Sequence, residues 1–268
     1  MSGTRVGCTG WGYDDWRGGF YAPGTPPSEY LSRYARVFDL VEVDSSYYQP
    51  PDRAQAARWA EATPPGFTFA LKLPRAIVHD LKLQDAAEAT DRFLAALDPL
   101  RAAGKLGPLV AVMPPSFRRD LHADALRGYL AAWPRGYELV VELRHPTWWR
   151  EATYDLLRAH GATLGWSVTE YGRTPPVATT DLAYVRLVGN RTLTRFDRVQ
   201  RDVSAEVAFW AKLLGDSDAA RRLVLLNNHL AGFAPASADA MARALGLAPF
   251  DLARARRAGG QPALDEFA

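Results

Sequence analysis

Eight short apolar runs, separated for the most part by helical patterns, constrain this 268-residue chain more than any other feature. They lie at 5–9 (RVGCT), 40–45 (LVEVDS), 67–73 (FTFALKL), 108–113 (PLVAVM), 137–143 (YELVVEL), 162–168 (ATLGWSV), 183–188 (AYVRLV) and 222–227 (RLVLLN). Several are almost continuously apolar, as parallel strands covered on both faces must be. Strands alternating with helices form parallel units joined by right-handed crossovers. Eight such units favour closure into a TIM-type (β/α) barrel over an open doubly wound sheet, and such barrels typically need about 250 residues.

Helical patterns fill most of the gaps. One begins after Pro26, Pro27 and Ser28 and runs through EYLSRYARVF. Asp52 and Gln55 are spaced as a capping box ahead of AARWAEA. Others cover 84–103, 119–132, 150–160, 203–214 and 236–246. The stretch 169–182 has two prolines and little helical period, so the sixth helix is predicted to be short or missing. Residues 10–27 read as a long, aromatic-rich loop. The barrel is expected to occupy 1–253 as one domain, with 254–268 a loosely ordered tail.

Composition narrows the partners. A formal net charge of +2 gives no support to a broad nucleic-acid or anionic-membrane surface. The N-terminus lacks the apolar stretch of a signal peptide, and no apolar run is long enough to span a bilayer. Cys8 is the only cysteine, which excludes an internal disulfide and suits a reducing, cytoplasmic setting.

Strand alternation points to function. Alternate residues of a strand share a face, so Glu42 and Asp44 lie together, opposite Val41 and Val43. Lys72 shares a face with Ala70, Glu142 with Arg144, Arg186 with Tyr184, and Asn227 with Leu225. The opposite faces are apolar and suit the outer helices, so these polar groups point into the barrel near its C-terminal mouth, where barrel enzymes hold their sites. Two readings compete: a site, or a salt-bridge network that merely plugs the mouth. Apolar residues make a plug with less desolvation, which favours the site.

Other candidates follow predicted strands. His145, His79 and His229 are each an acid/base candidate or a loop-orienting group. The histidines lack metal-binding spacing, yet a divalent ion held by Glu42 and Glu142 is a further option. Trp11, Trp16, Tyr47, Tyr48, Trp148 and Trp149 either wall a pocket or pack the rim. Asn228, beside Asn227, offers paired donor and acceptor recognition. The loop 190–202 carries Arg191, Arg195, Arg198 and Arg201, suited to phosphate or carboxylate unless Asp197 and Asp202 offset it.

The ordered motifs GCTGWGYDDWRGGFYAPG, FDLVEVDSSYYQPP, TPPGFTFALKLPRAIVH, KLGPLVAVMPPSF, VVELRHPTWW, YVRLVG and NNHLAGFAPASA resemble the YecE-like family, domain of unknown function 72. The resemblance covers roughly residues 5–247. It implies a TIM-type barrel related in architecture to sugar-isomerase-like and endonuclease-like barrels, and it implies no particular reaction. The family's motif residues fall on Trp11, Trp16, Glu42, Tyr48, Lys72, His79, Glu142, Arg144, His145, Trp148, Arg186, Asn227 and Asn228. Three positions depart from the family pattern: Asp44 replaces an Asn, Val112 a Gln, and Val188 a His. The last removes one acid/base candidate. Asp44 adds a charge beside Glu42, which is expected to raise one carboxylate pKa or recruit a cation.

The functional expectation is an enzyme acting on a small or nucleotide-like anionic substrate. Arg144, Arg186 and Lys72 clamp the anion, Glu42 or Glu142 serves as acid or base with His145, and Asn227, Asn228 and the tryptophans orient and cover it. The alternatives are a nucleic-acid-processing barrel, which rests on fold analogy, and a non-catalytic ligand-binding barrel.

Overall fold

A computed structural model describes residues 3–170 and 172–257. Its strands are β1 (Thr4–Thr9), β2 (Leu40–Val43), β3 (Thr68–Lys72), β4 (Leu106–Val112), β5 (Leu139–Glu142), β6 (Thr163–Thr169), β7 (Gly172–Arg173), β8 (Leu182–Gly189) and β9 (Arg221–Leu226). Around the ring the order is β1-β2-β3-β4-β5-β6-β8-β9, and β9 pairs with β1. These eight strands are mutually parallel and closed, a TIM-type α/β barrel. The two-residue β7 only folds back antiparallel on β6.

Helices clothe the barrel: α1 (Tyr30–Tyr34), α2 (Arg53–Glu61), α3 (Ala87–Ala96), α4 (Asp98–Ala102), α5 (Arg119–Ala132), α6 (Glu151–Ala159), α7 (Ser204–Gly215), α8 (Asn228–Ala231) and α9 (Ala234–Ala244). Among the described residues no helix joins β6 to β8. There the Thr179 hydroxyl donates to the Ala162 carbonyl and accepts from the Leu164 amide, while the Trp166 indole donates to the Val177 carbonyl. Side chains thus stand in for a crossover helix that the prolines forbid. Asp52 caps α2, accepting from the Gln55 amide at 2.6 Å. Two expected helices are shorter than their periodicity suggests. The helix expected over 84–103 breaks at Leu97, before Asp98-Pro99, and Ser28 lies inside a 3-10 turn that precedes α1.

The core has two parts. Between strands and helices lies an apolar shell that includes Phe69, Leu71, Leu109, Val141, Val185 and Val224. Inside the barrel, Leu40, Ala70, Val110, Val140, Leu182, Tyr184, Leu223 and Leu225 form a separate cluster. Each fully buried Leu or Val contributes roughly 1.5–3 kcal/mol, and the interior cluster closes the barrel below its mouth. The loop 10–27 folds over the end of the barrel, with Trp16, Phe20 and Tyr21 fully buried against Tyr34 and Phe38. Of the stretch expected to be a loose tail, Arg254–Arg256 close a short 3-10 helix with Ala255 buried, and 258–268 lie outside the described residues.

No described helix is long and apolar enough to cross a membrane.

Candidate functional site

The polar strand-end residues do converge, but at two depths. In the lower layer β2, β5 and β8 deliver Glu42, Glu142 and Arg186, each no more than 1% exposed. The Arg186 guanidinium lies between the carboxylates. Its Nε donates to Glu42 Oε2 at 2.7 Å and its Nη1 to Glu142 Oε2 at 2.6 Å. The Tyr184 hydroxyl donates to Glu42 Oε2 at 2.7 Å, and Arg144 Nε to Glu142 Oε1 at 2.6 Å. Burial alone raises both carboxyl pKa values. At Glu142 the Arg186 and Arg144 charges more than offset burial and hold it at about 2. At Glu42 burial prevails over Arg186 and Lys72, Asp44 adds repulsion, and the pKa stays raised.

Two residues further along a strand, the chain has climbed one layer. Asp44 and Arg144 stand above Glu42 and Glu142, and Lys72 bonds Asp44 at 2.5 Å. Asp44 is partly buried, but Lys72 and Arg186 overcome the desolvation and lower its pKa. The added carboxylate beside Glu42 therefore coincides with a raised neighbour and with a recruited cation.

Above this layer opens a cavity of about 370 Å³. Asp44, Lys72, Arg144, Arg186, Asn227, Asn228, His79 and Tyr48 line it, among the residues singled out from sequence. Arg144 donates to Glu142 through Nε, and its two Nη groups make no hydrogen bond among the described residues. Arg191, exposed on the loop after β8, has no ion pair among them either. The Asn227 amide is committed, donating to Thr9 and accepting from the His229 backbone as the cap of α8. Asn228 differs. Its Oδ1 accepts from the Trp16 indole and the Ala234 amide, while its buried Nδ2, near the Tyr13 hydroxyl, makes no hydrogen bond within 3.5 Å among the described residues.

Two histidines, on different loops, line this cavity. His79 sits on a single π-helical turn, Ala76–Asp80, closed by the Leu81 amide donating to the Ala76 carbonyl at 2.9 Å. Such isolated π turns recur at functional sites. The chain then passes through three left-handed non-glycine residues, Lys82, Leu83 and Asp85, an unfavourable backbone held by its surroundings. His229 follows β9, brought close by Gly189 at φ +77°, where any Cβ would meet His229 O and Leu230 Cα at 2.8 Å. Burial lowers both imidazole pKa values, reinforced at His79 by Arg144 and Arg75 and at His229 by Arg191. In each ring Nδ1 is buried without a hydrogen-bond partner among the described residues.

Several expected site residues lie elsewhere. Glu42 and Glu142 sit beneath the cavity, behind Arg186. His145 points away from it: its Nδ1 accepts from the Thr147 amide and caps a 3-10 turn. Trp148 is buried on Phe117, and Trp11 packs outside the barrel on Trp59 and Phe69. Trp16 reaches the site through Asn228 and through Tyr13, whose ring it packs against at 4.9 Å. A divalent ion between Glu42 and Glu142 does not fit, because the Arg186 guanidinium occupies that position and binds both. Among the described residues no three His, Cys, Asp or Glu groups cluster as metal ligands. Sequence reading missed Tyr13, Phe196, Pro115 and Glu170, which also line the cavity. All four lie in loops, where alternation carries no information. The lone aromatic within the arginine-rich loop was the one available signal for Phe196.

A family model described as "Protein of unknown function DUF72" matches residues 5–261. The chain is similar to UPF0759 protein YecE of Escherichia coli (strain K12), 33% identical over 117 residues, which are 43% of this chain and 42% of that protein. It is also similar to UPF0759 protein YunF of Bacillus subtilis (strain 168), 24% identical over 60% of this chain and 57% of that one. Each match thus spans less than two thirds of the relative's length. Among solved structures, a DUF72 family protein from Enterococcus faecalis V583 superposes with a TM-score of 0.75 at 21% identity, over 91% of this chain and 96% of that one. One from Thermotoga maritima MSB8 gives 0.72 at 28% identity, over 91% and 96%.

Proposed function

The chain belongs to the DUF72 family, and from the geometry of its barrel mouth we propose that it binds a small anion there and performs acid/base chemistry on it. The observation that carries this is the cavity lined by Lys72, Arg144, Arg186 and Arg191, in which two neutral histidines and the Asn228 amide keep unpartnered polar atoms. Buried polar groups without partners are rare in native structures and gather where a ligand completes them.

In this reading the Arg144 Nη groups and Arg191 hold the anion, with Lys72 adding charge from the wall. Asn228 Nδ2 donates to the ligand. The acid/base role first assigned to Glu42 and Glu142 passes to His79 and His229, which are held neutral near physiological pH and so are able to accept a proton. Glu42, Glu142 and Arg186 hold the frame on which Arg144 and Lys72 are mounted. A cavity of about 370 Å³ suits one small molecule and not a nucleic-acid strand. The reading also keeps the protein in a reducing cytoplasm, where its buried Cys8 thiol, raised by burial, stays unreactive.

Calorimetric titration with inorganic phosphate and with small carboxylates tests the binding step. Saturable binding is expected, weakened about tenfold or more in Arg144→Ala. Absence of binding to any small anion at low ionic strength would overturn the proposal. Incubation with pooled phosphorylated and carboxylated metabolites, followed by NMR, tests the chemistry. His79→Asn is expected to bind but not convert the substrate found.

A further inference from the structure

The mouth cavity is bounded on one side by two aromatic rings. Tyr13 and Phe196, T-shaped with centroids 6.0 Å apart, also line a second cavity of about 410 Å³, completed by Gly12, Asp14, Asp15, Pro27 and Tyr30. Phe196 is fixed from both directions: its ring stands edge-on to His229 at 5.0 Å, and its backbone amide donates to Asp15 Oδ2 at 2.8 Å. The two cavities therefore share a wall that joins the arginine-rich loop to the first loop of the chain.

Their linings differ in sign. Lys72, Arg144, Arg186 and Arg191 outnumber Asp44 and Glu170 in the inner cavity, and the outer one carries Asp14 and Asp15. The Asp14 charge is already offset. Its Oδ1 accepts from the Tyr30 hydroxyl and from Arg17 Nη2, both at 2.7 Å. Among the described residues Asp14 Oδ2 and Asp15 Oδ1 have no hydrogen-bond partner, so the outer cavity offers one open oxygen on each carboxylate, with Tyr13, Phe196 and Pro27 in the same lining. Carboxylate oxygens flanked by aromatic and proline faces suit hydroxyl donors on a C–H-rich skeleton. A flat base finds no free ring on Tyr30, because Tyr21 stacks on it at 4.4 Å and the Arg17 guanidinium lies over it.

We propose that the site takes a polyol carrying one anionic group, the anion in the inner cavity and the hydroxyls on Asp14 and Asp15 across the Tyr13–Phe196 wall. This rests on the anion-binding reading of the mouth and adds a substrate class to it.

The test is calorimetry with four probes: inorganic phosphate, glucose 6-phosphate, phosphoethanolamine and AMP. Glucose 6-phosphate is expected to bind about tenfold more tightly than phosphate, the gain of one hydrogen bond to a charged acceptor. Gly12→Phe places a ring in the outer cavity, since a Cβ at Gly12 meets nothing within 4 Å. It is expected to abolish that gain while phosphate binding and the melting temperature stay unchanged. Asp15→Asn, which keeps an oxygen for the Phe196 amide, is expected to reduce the gain in part. Equal affinity for phosphate and glucose 6-phosphate would overturn the polyol assignment and leave the anion reading standing, as would a gain that survives Gly12→Phe. A larger gain for phosphoethanolamine or AMP would replace the polyol by an amine or a nucleotide. Failure of phosphate itself to bind would remove both.

Discussion

Two layers of charge lie one above the other in the barrel mouth and differ in almost every physical respect. Below, Glu42 and Glu142 are sealed behind Arg186, which floors the cavity, and each carboxylate oxygen has a donor. Above, Arg144, Arg191, His79, His229 and Asn228 face a cavity with donors or ring nitrogens left over. A buried charge is tolerable only when paired, so a complete network is a structural element and an incomplete one invites a ligand. The same strands build both, and a shift of two residues along a strand separates frame from site.

The largest expected effect comes from breaking the lower layer. Arg186→Met leaves two buried carboxylates without their shared cation and is expected to destabilise the protein by roughly 3–5 kcal/mol. That amounts to a fall of about 10 °C or more in melting temperature for a chain of this size, read by calorimetry. Arg144→Ala, one layer up, is expected to cost about 1–3 kcal/mol, because it leaves Glu142 Oε1 without its donor, but less than Arg186→Met, since Glu142 retains Arg186, while phosphate binding falls about tenfold. If both variants lose stability equally, the layers are not distinct.

Acid unfolding sharpens the contrast. The Glu142 pKa lies at about 2, below its ordinary 4.5, so its ionised form favours the folded state. That contribution is complete above pH 4.5 and is lost as pH falls through 2. Glu42 has the opposite sign: its raised pKa means that ionisation above its ordinary range works against folding. Glu142→Gln is therefore expected to flatten the acid limb of the stability curve between about pH 4.5 and 2, and Glu42→Gln to leave that limb in place. Urea melts at stepped pH distinguish them.

The smallest effect belongs to the histidines. Their lowered pKa values mean that the folded state resists protonation, so they contribute stability at neutral pH that fades as pH falls through their ordinary range. A bound anion neutralises the nearby arginines and raises both values, so phosphate affinity is expected to increase as pH drops from 8 to 6. Calorimetry across that range, in buffers of different ionisation enthalpy, measures the accompanying proton uptake.

Much of this was legible in the sequence, for a specific reason. Pleat alternation is a strict rule, so Glu42, Lys72, Glu142, Arg144, Arg186 and Asn227 could be assigned to the barrel interior from their neighbours alone. The eight runs and the proline-rich gap after β6 fixed the barrel and its missing helix in the same way. Depth was not legible. Whether Glu42 is sealed and Asp44 reaches the cavity depends on how neighbouring strands stagger, which a single strand does not reveal. Nor were Tyr13 and Phe196, whose position follows from one long-range bond between Asp15 and the Phe196 amide. His145 and Trp148 were misplaced for a related reason: beyond a strand end alternation lapses, and both turn outward to cap and pack the loop after β5.

Side-chain NMR of the five histidines during a phosphate titration tests the division most directly. His79 and His229 are expected to shift saturably and to rise in pKa, while His145, outside the cavity, stays unmoved. A uniform drift of all five, or no saturable shift at His79 and His229, would contradict a ligand site above a sealed frame.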